Sequence, residues 1–167
     1  DEGLVGSEMC IRDSITGLAI NSKKVKKGYI FFAIRGNKTN GETYINEAIS
    51  KGAVVIIGSN KCKFKSNNII VIKTKQIRKY LSQITSRFYK LKPKNIIAVT
   101  GTNGKTSTAD FFYQILNINN IKAASIGTLG IKYKNKIKKN NLTSPDTITL
   151  HQNLETLKKN NIAVSYT

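Results

Sequence analysis

Residues 99 to 108 read V-T-G-T-N-G-K-T-S-T, with an apolar run before them and a helix-period segment after them. Two glycines followed at once by a lysine and hydroxyl residues suit a turn whose backbone N–H groups converge on phosphate oxygens. Glycine lets the chain curl there without Cβ clashes, and a helix that follows turns its positive end toward the same anion. In this reading Gly101, Thr102, Asn103, Gly104, Lys105, Thr106 and Ser107 hold the phosphates of a nucleoside triphosphate. Lys105 is the catalytic cation that reaches the β- and γ-phosphates, and the Thr106 hydroxyl is a ligand for Mg²⁺. The loop therefore calls for a triphosphate and Mg²⁺. The general pattern G-x-x-x-x-G-K-[ST] would want glycine at position 99, where this chain has valine, so the loop is the shorter T-G-T-N-G-K-T form. The alternative is a Gly-rich strand-to-helix turn with an incidental lysine.

The flanks predict an α/β fold. Residues 95–100 read as a buried strand, 105–117 as a helix and 122–126 as a strand, a series that argues a parallel, helix-covered sheet. Residues 129–137 read as a hairpin around Asn135. Residues 148–159 read as a helix with Leu150, Leu154 and Leu157 on one side, Pro145 and Asp146 marking its start, and residues 162–164 begin a further strand. Upstream, 29–34, 53–57 and 69–72 read as strands. Tyr44, Ile45, Ala48 and Ile49 recur at helical spacing up to Gly52, a C-terminal cap. Ile77, Leu81, Ile84, Phe88 and Leu91 predict the core-facing stripe of a second helix. The polar stretch 90–94, which carries Pro93, should end that helix and divide two domains, 15–92 and 93–167. Residues 1–14 follow neither period and differ in composition from the rest, so they read as a non-native leader.

Composition narrows the partners. The formal charge is +19, from 28 Lys+Arg against 9 Asp+Glu, which would concentrate polyanions. The lysines are scattered through nearly every segment and not gathered beside aromatic residues, so a solvated surface is the expectation and nucleic acid is not an expected partner. A basic P-loop protein that binds nucleic acid remains the alternative from another class. Cys10 and Cys62 form no CxxC pair and His151 is the only histidine, so the usual zinc or iron–sulfur ligand clusters are missing. His151 is expected to be partly exposed rather than catalytic. No stretch approaches the ~20 apolar residues of a membrane span and no signal peptide opens the chain, so the cytoplasm is the default compartment.

The T-G-T-N-G-K-T loop resembles that of the Mur ligases and of folylpolyglutamate synthetase. The segment before it separates the two. Residues 21–33, N-S-K-K-V-K-K-G-Y-I-F-F-A, are similar to the D-S-R-x-V-x-x-G-D-x-F-x-A signature of the Mur N-terminal domain. Gly36, N-G-E-T-Y-I at 40–45, Ala48 and K-G-A at 51–53 continue the likeness. After the loop, L-T-S-P-D at 142–146 resembles the T-T-P-D segment of the tripeptide-forming member of the family. Asn21 stands where the family commonly has Asp, Lys23 where it has Arg, and Ser144 where it has Thr. Lysine cannot reproduce the planar fork of arginine, so exact substrate contacts differ.

The resemblance implies a small N-terminal α/β UDP-binding domain followed by the start of a Rossmann-like, parallel-sheet P-loop ATPase domain, incomplete in this chain. It implies a ligase that uses ATP to phosphorylate a carboxylate, which an amine then attacks to form an amide. The substrates it implies are UDP-N-acetylmuramoyl-L-alanyl-D-glutamate and a diamino acid, meso-diaminopimelate favoured over lysine, in peptidoglycan precursor synthesis by a monomer. Carried over by position, Ile20, Ser22, Asn37, Lys38 and Thr39 line the UDP site, and Thr143 and Ser144 contact the muramoyl-peptide. The family's Mg²⁺-binding glutamate, carbamylated lysine and amino-acid-selecting C-terminal domain have no counterpart here, so the chain alone is expected to be inactive.

Overall fold

The computed structural model describes residues 15–36, 39–127, 130–134, 136–138 and 145–166. The leader 1–14, Asn37, Lys38, Thr143 and Ser144 lie outside the described residues. The chain divides into two compact units, Asp1–Ile84 and Thr85–Thr167.

The first unit is built on a four-stranded parallel sheet, β1 (Gly17–Ala19), β2 (Tyr29–Phe32), β3 (Ala53–Ser59) and β4 (Ile70–Thr74), in sequential order. A 3-10 turn at Ser22–Lys24 follows β1, and a second at Gly41–Tyr44 leads into the short helix α1 (Ile45–Ser50). Ala19, Phe31, Ala33 and Ile56 meet Ile45 and Ala48 of α1 in the core. Phe31, Phe32, Ile56 and Ile57 are all buried, as strands covered on both faces require. Helix α1 ends through Gly52, which adopts φ +96° and donates its N–H to Ile49 O at 2.8 Å. The predicted cap is in place.

Helix α2 (Ile77–Phe88) spans the boundary between the units. Its predicted core stripe holds at Leu81, which is buried, and at the half-buried Ile77 and Ile84, but Phe88 and Leu91 are exposed. The helix stops at Phe88, so Leu91 lies beyond the period that would have placed it. The ring of Phe88 instead meets Tyr89 edge-on at 5.0 Å.

The second unit has a five-stranded sheet in the order β5-β9-β6-β7-β8: β5 (Ile96–Ala98), β6 (Ala123–Gly127), β7 (Gly130–Tyr133), β8 (Lys136–Lys138) and β9 (Ala163–Tyr166). Helix α3 (Lys105–Ile118) joins β5 to β6, and α4 (Thr147–Lys159) precedes β9. The sheet is mixed. β5, β9 and β6 run parallel, whereas β6-β7-β8 is an antiparallel meander that contains the expected hairpin. Leu154 and Leu157 of α4 pack on Ala124, Ile126 and Ile131. Asp146 caps α4, its carboxylate accepting from Thr149 N at 3.0 Å and from Thr149 Oγ1 at 2.8 Å.

The strand before the loop, expected to be buried, is not. Ile96 is 45% and Ile97 42% exposed. They point to opposite faces of a strand that, among the described residues, pairs on one side only, with β9.

Candidate functional site

The loop between β5 and α3 is shaped by two glycines. Gly104 has φ +76° and serves as the N-cap of α3, and Gly101 has φ +153°. Both values favour a residue without Cβ. A side chain at Gly104 would meet nothing within 4 Å, so conformation, not space, selects glycine there. The turn from Gly101 to Gly104 is solvent-exposed and leads into a fourteen-residue helix, with Lys105 and Thr106 half-buried at its start. The Lys105 ammonium folds over the turn, donating to Gly101 O at 2.5 Å and to Thr102 O at 3.2 Å. A positive charge, the first amides of a helix and an open backbone curl thus share one spot. A combination of this kind suits an anion.

Further along α3, Asp110 forms an ion pair with Lys132 of β7, and Gln114 Nε2 donates to the other Asp110 oxygen at 2.9 Å. The Lys132 ammonium, first, and Gln114 hold the Asp110 carboxyl below its ordinary 3.8, against the upward pull of burial. Nothing in the residue spacing marks this pair, because Lys132 is one lysine among many and only the fold brings β7 to α3.

In the first unit, Ile20 and Ser22 follow the C-terminal end of β1, and Thr39 lies in the connection after β2. Parallel strands put both at the same edge of the sheet, where ligands of open α/β sheets bind. Ser22 is buried, and its hydroxyl donates to Glu47 Oε2 at 2.7 Å. Glu47 also takes Lys51 Nζ at 2.7 Å, and these two partners, Lys51 first, keep its carboxyl below 4.5. Thr39 is exposed and its carbonyl accepts from Gly36 N at 2.8 Å. Beside Thr39 opens a cavity of about 330 Å³ lined by residues that include Asn40, Glu42, Thr43, Lys61, Lys63 and Phe64; Ile20, Ser22 and Thr39 are not in its wall. Glu42 also anchors the end of β3, accepting from Ser59 Oγ at 2.5 Å.

His151 is half-buried on α4, and burial, with Lys92 nearby, lowers its pKa from the ordinary 6.5. Cys62 is buried. Among the described residues no group of three or more His, Cys, Asp and Glu side chains could hold a metal ion, and no helix is long and apolar enough to cross a membrane.

Fold and loop together define a two-unit α/β protein whose second unit carries a glycine-rich, lysine-bearing turn between a strand and a helix. Comparison with known proteins supplies the family. The sequence profile described as "Mur ligase family, catalytic domain" matches residues 14–89, and the "Mur ligase middle domain" matches residues 99–165. The chain belongs to the Mur ligase family. It is 45% identical over 118 residues to the UDP-N-acetylmuramoyl-L-alanyl-D-glutamate--2,6-diaminopimelate ligase of Rickettsia montanensis, covering 71% of this chain and 24% of that one. It is 35% identical to the ligase of the same name from Bradyrhizobium diazoefficiens, covering 95% and 33%. A solved ligase of that name shares the fold with a TM-score of 0.72 at 23% identity, over 90% of this chain and 31% of that one. MurF ligase from Thermotoga maritima in complex with ADP shares it at 0.57 and 22%, over 92% and 32%. The chain spans between a quarter and a third of the length of these relatives.

Proposed function

We propose that this chain is the UDP-binding and ATP-binding portion of a cytoplasmic, monomeric ligase that joins a diamino acid, meso-diaminopimelate, to UDP-N-acetylmuramoyl-L-alanyl-D-glutamate, with domains at 15–92 and 93–167. The observation that carries the reading is the loop itself. Gly104 turns the chain into α3, and the Lys105 ammonium lies on the turn, inside a stretch matched by the Mur ligase middle domain. The diamino acid follows the names of the relatives.

The loop fits a triphosphate. Its outer residues carry no bulky side chain across the turn, and a bound anion would offer Lys105 stronger, charge-assisted partners than the two carbonyls it holds. ATP would supply the phosphoryl group that activates the substrate carboxylate. Lys105 would neutralise charge on the β- and γ-phosphates, and the amides that open α3 would orient them. The Thr106 hydroxyl, at the first turn of α3, is the ligand this chain would offer Mg²⁺. Mg²⁺ habitually keeps several waters and binds through phosphates, which suits a site with one protein oxygen. Thr143 and Ser144, with Ile20, Ser22, Asn37, Lys38 and Thr39, would contact the UDP-peptide.

Calorimetric titration of the 167-residue chain with MgATP tests the reading. Saturable binding that is lost in Lys105→Met, together with binding of the UDP-dipeptide, is expected. No turnover is expected when both substrates and ATP are present. Absence of MgATP binding by the folded wild type, or salt-steep oligonucleotide binding in place of UDP-dipeptide binding, would refute it.

A further inference from the structure

The nucleotide loop depends on how α3 is seated, and few side chains of that helix are buried. Ala109 and Tyr113 are the buried residues of α3, and the strand they lie against presents small side chains. Ala124 and Ile126 of β6 pack with α4, so by strand alternation Ala123 and Ser125 face the other side of the sheet. Ser125 pairs with Lys132 across β6 and β7, while Ile131, next to Lys132, packs with α4. Lys132 therefore stands on the α3 side. Ala109 over small residues resists separation but grips little against rotation about the helix axis, which leaves Tyr113 as the one large buried side chain of α3.

Asp110 supplies that grip. It follows Ala109 directly and lies about 7.5 Å along the axis from Lys105. One carboxylate oxygen takes Lys132 and the other Gln114. The two ionic side chains are only 28% and 19% exposed, so the pair is shielded more than an ordinary surface bridge. Any rotation of α3 that broke this pair would swing Lys105 and the Gly104 turn away from their common spot.

We propose that Asp110 is a positioning residue for the nucleotide: by pairing with Lys132 it fixes the rotation of α3 on the β6–β7 hairpin and so holds the phosphate loop in its binding shape. This rests on the ATP reading above. It assigns no contact between Asp110 and the nucleotide.

The test is MgATP affinity by calorimetry on the 167-residue chain, with a thermal melt of each variant alongside. Asp110→Asn and Lys132→Met should each weaken MgATP by about fivefold, the lower end of coupling between linked sites, while the chain stays folded. The exchanged pair, Asp110→Lys with Lys132→Asp, should recover most of that loss, which a simple loss of fold would not do. Single variants that bind as wild type, or an exchanged pair as weak as the singles, overturn the proposal. Should a single variant fail to fold, the exchanged chain decides alone: near-native affinity supports the proposal and weakened affinity overturns it. A folded wild type that binds no MgATP refutes the ATP reading itself, an outcome distinct from variants that bind unchanged.

Discussion

Gly52 and Gly104 both occupy the left-handed region, at φ +96° and +76°, yet replacing them with alanine should have different consequences. An L-residue in that region costs roughly 1–2 kcal/mol, and the stiffer unfolded chain returns about 0.4–1 kcal/mol. At Gly104 no atom lies within 4 Å of the added Cβ, so the net destabilisation is roughly 1 kcal/mol by those two terms. At Gly52 the added Cβ would meet Lys27 Cα at 2.7 Å and Lys27 N at 3.1 Å. These are backbone atoms, and Gly52 is pinned by its N–H to Ile49 O at 2.8 Å and by its carbonyl, which accepts from Gly28 N at 2.9 Å. Relieving that overlap adds about 1–3 kcal/mol, as overpacking does, for a total of about 2–4 kcal/mol. Urea unfolding of Gly52→Ala and Gly104→Ala, followed by circular dichroism, gives the comparison. Equal midpoints would refute the claim that the Lys27 backbone crowds Gly52. A Gly104→Ala loss well above 2 kcal/mol would refute the view that its glycine serves backbone conformation alone. Gly104→Asn should cost less than Gly104→Ala, since Asn tolerates this region better.

Asp146→Ala removes the cap of α4 and should lower stability by about 1 kcal/mol, measured by urea unfolding. His151 has a folded pKa below its unfolded 6.5, so the unfolded chain takes the proton first as pH falls. Stability contributed by the neutral ring is present above 6.5 and is lost as pH drops toward the folded value; His151→Gln should flatten thermal midpoints across that window, and an unchanged slope would count against burial as the cause. Ser22→Ala removes one of the two hydrogen bonds that lower the Glu47 carboxyl, and NMR titration should show that carboxyl moving upward toward 4.5.

Much of the fold could be read from period and punctuation, because long patterns average out local accidents. The helix ended by Gly52, the helix begun at Asp146 and the curl at Gly101 and Gly104 follow from capping and backbone rules that act over a few residues. β1 was not legible, since Gly17, Leu18 and Ala19 are too few to show alternation. The exposure of Ile96 and Ile97 was hidden for another reason: an apolar run tells that a strand forms, but its place in the sheet depends on which later strand arrives beside it. At the candidate site the loop residues declared themselves by type and spacing. Glu47 as the partner of Ser22, and Lys132 as the partner of Asp110, are set by tertiary approach across 25 and 22 positions, and local pattern carries no trace of either.

The sheet order β5-β9-β6 bears on how the protein is made. Among the described residues β5, the strand before the glycine turn, pairs only with β9, which leaves the ribosome after α3, the meander and α4 have all emerged. Until then β5 lacks that partner and the turn that platform, so a nascent chain would gain its α3–β6 contacts early and a fixed glycine turn late. Such long-range closure is slow, and β5 with its two exposed isoleucines would in the meantime be the stretch that chaperones shield.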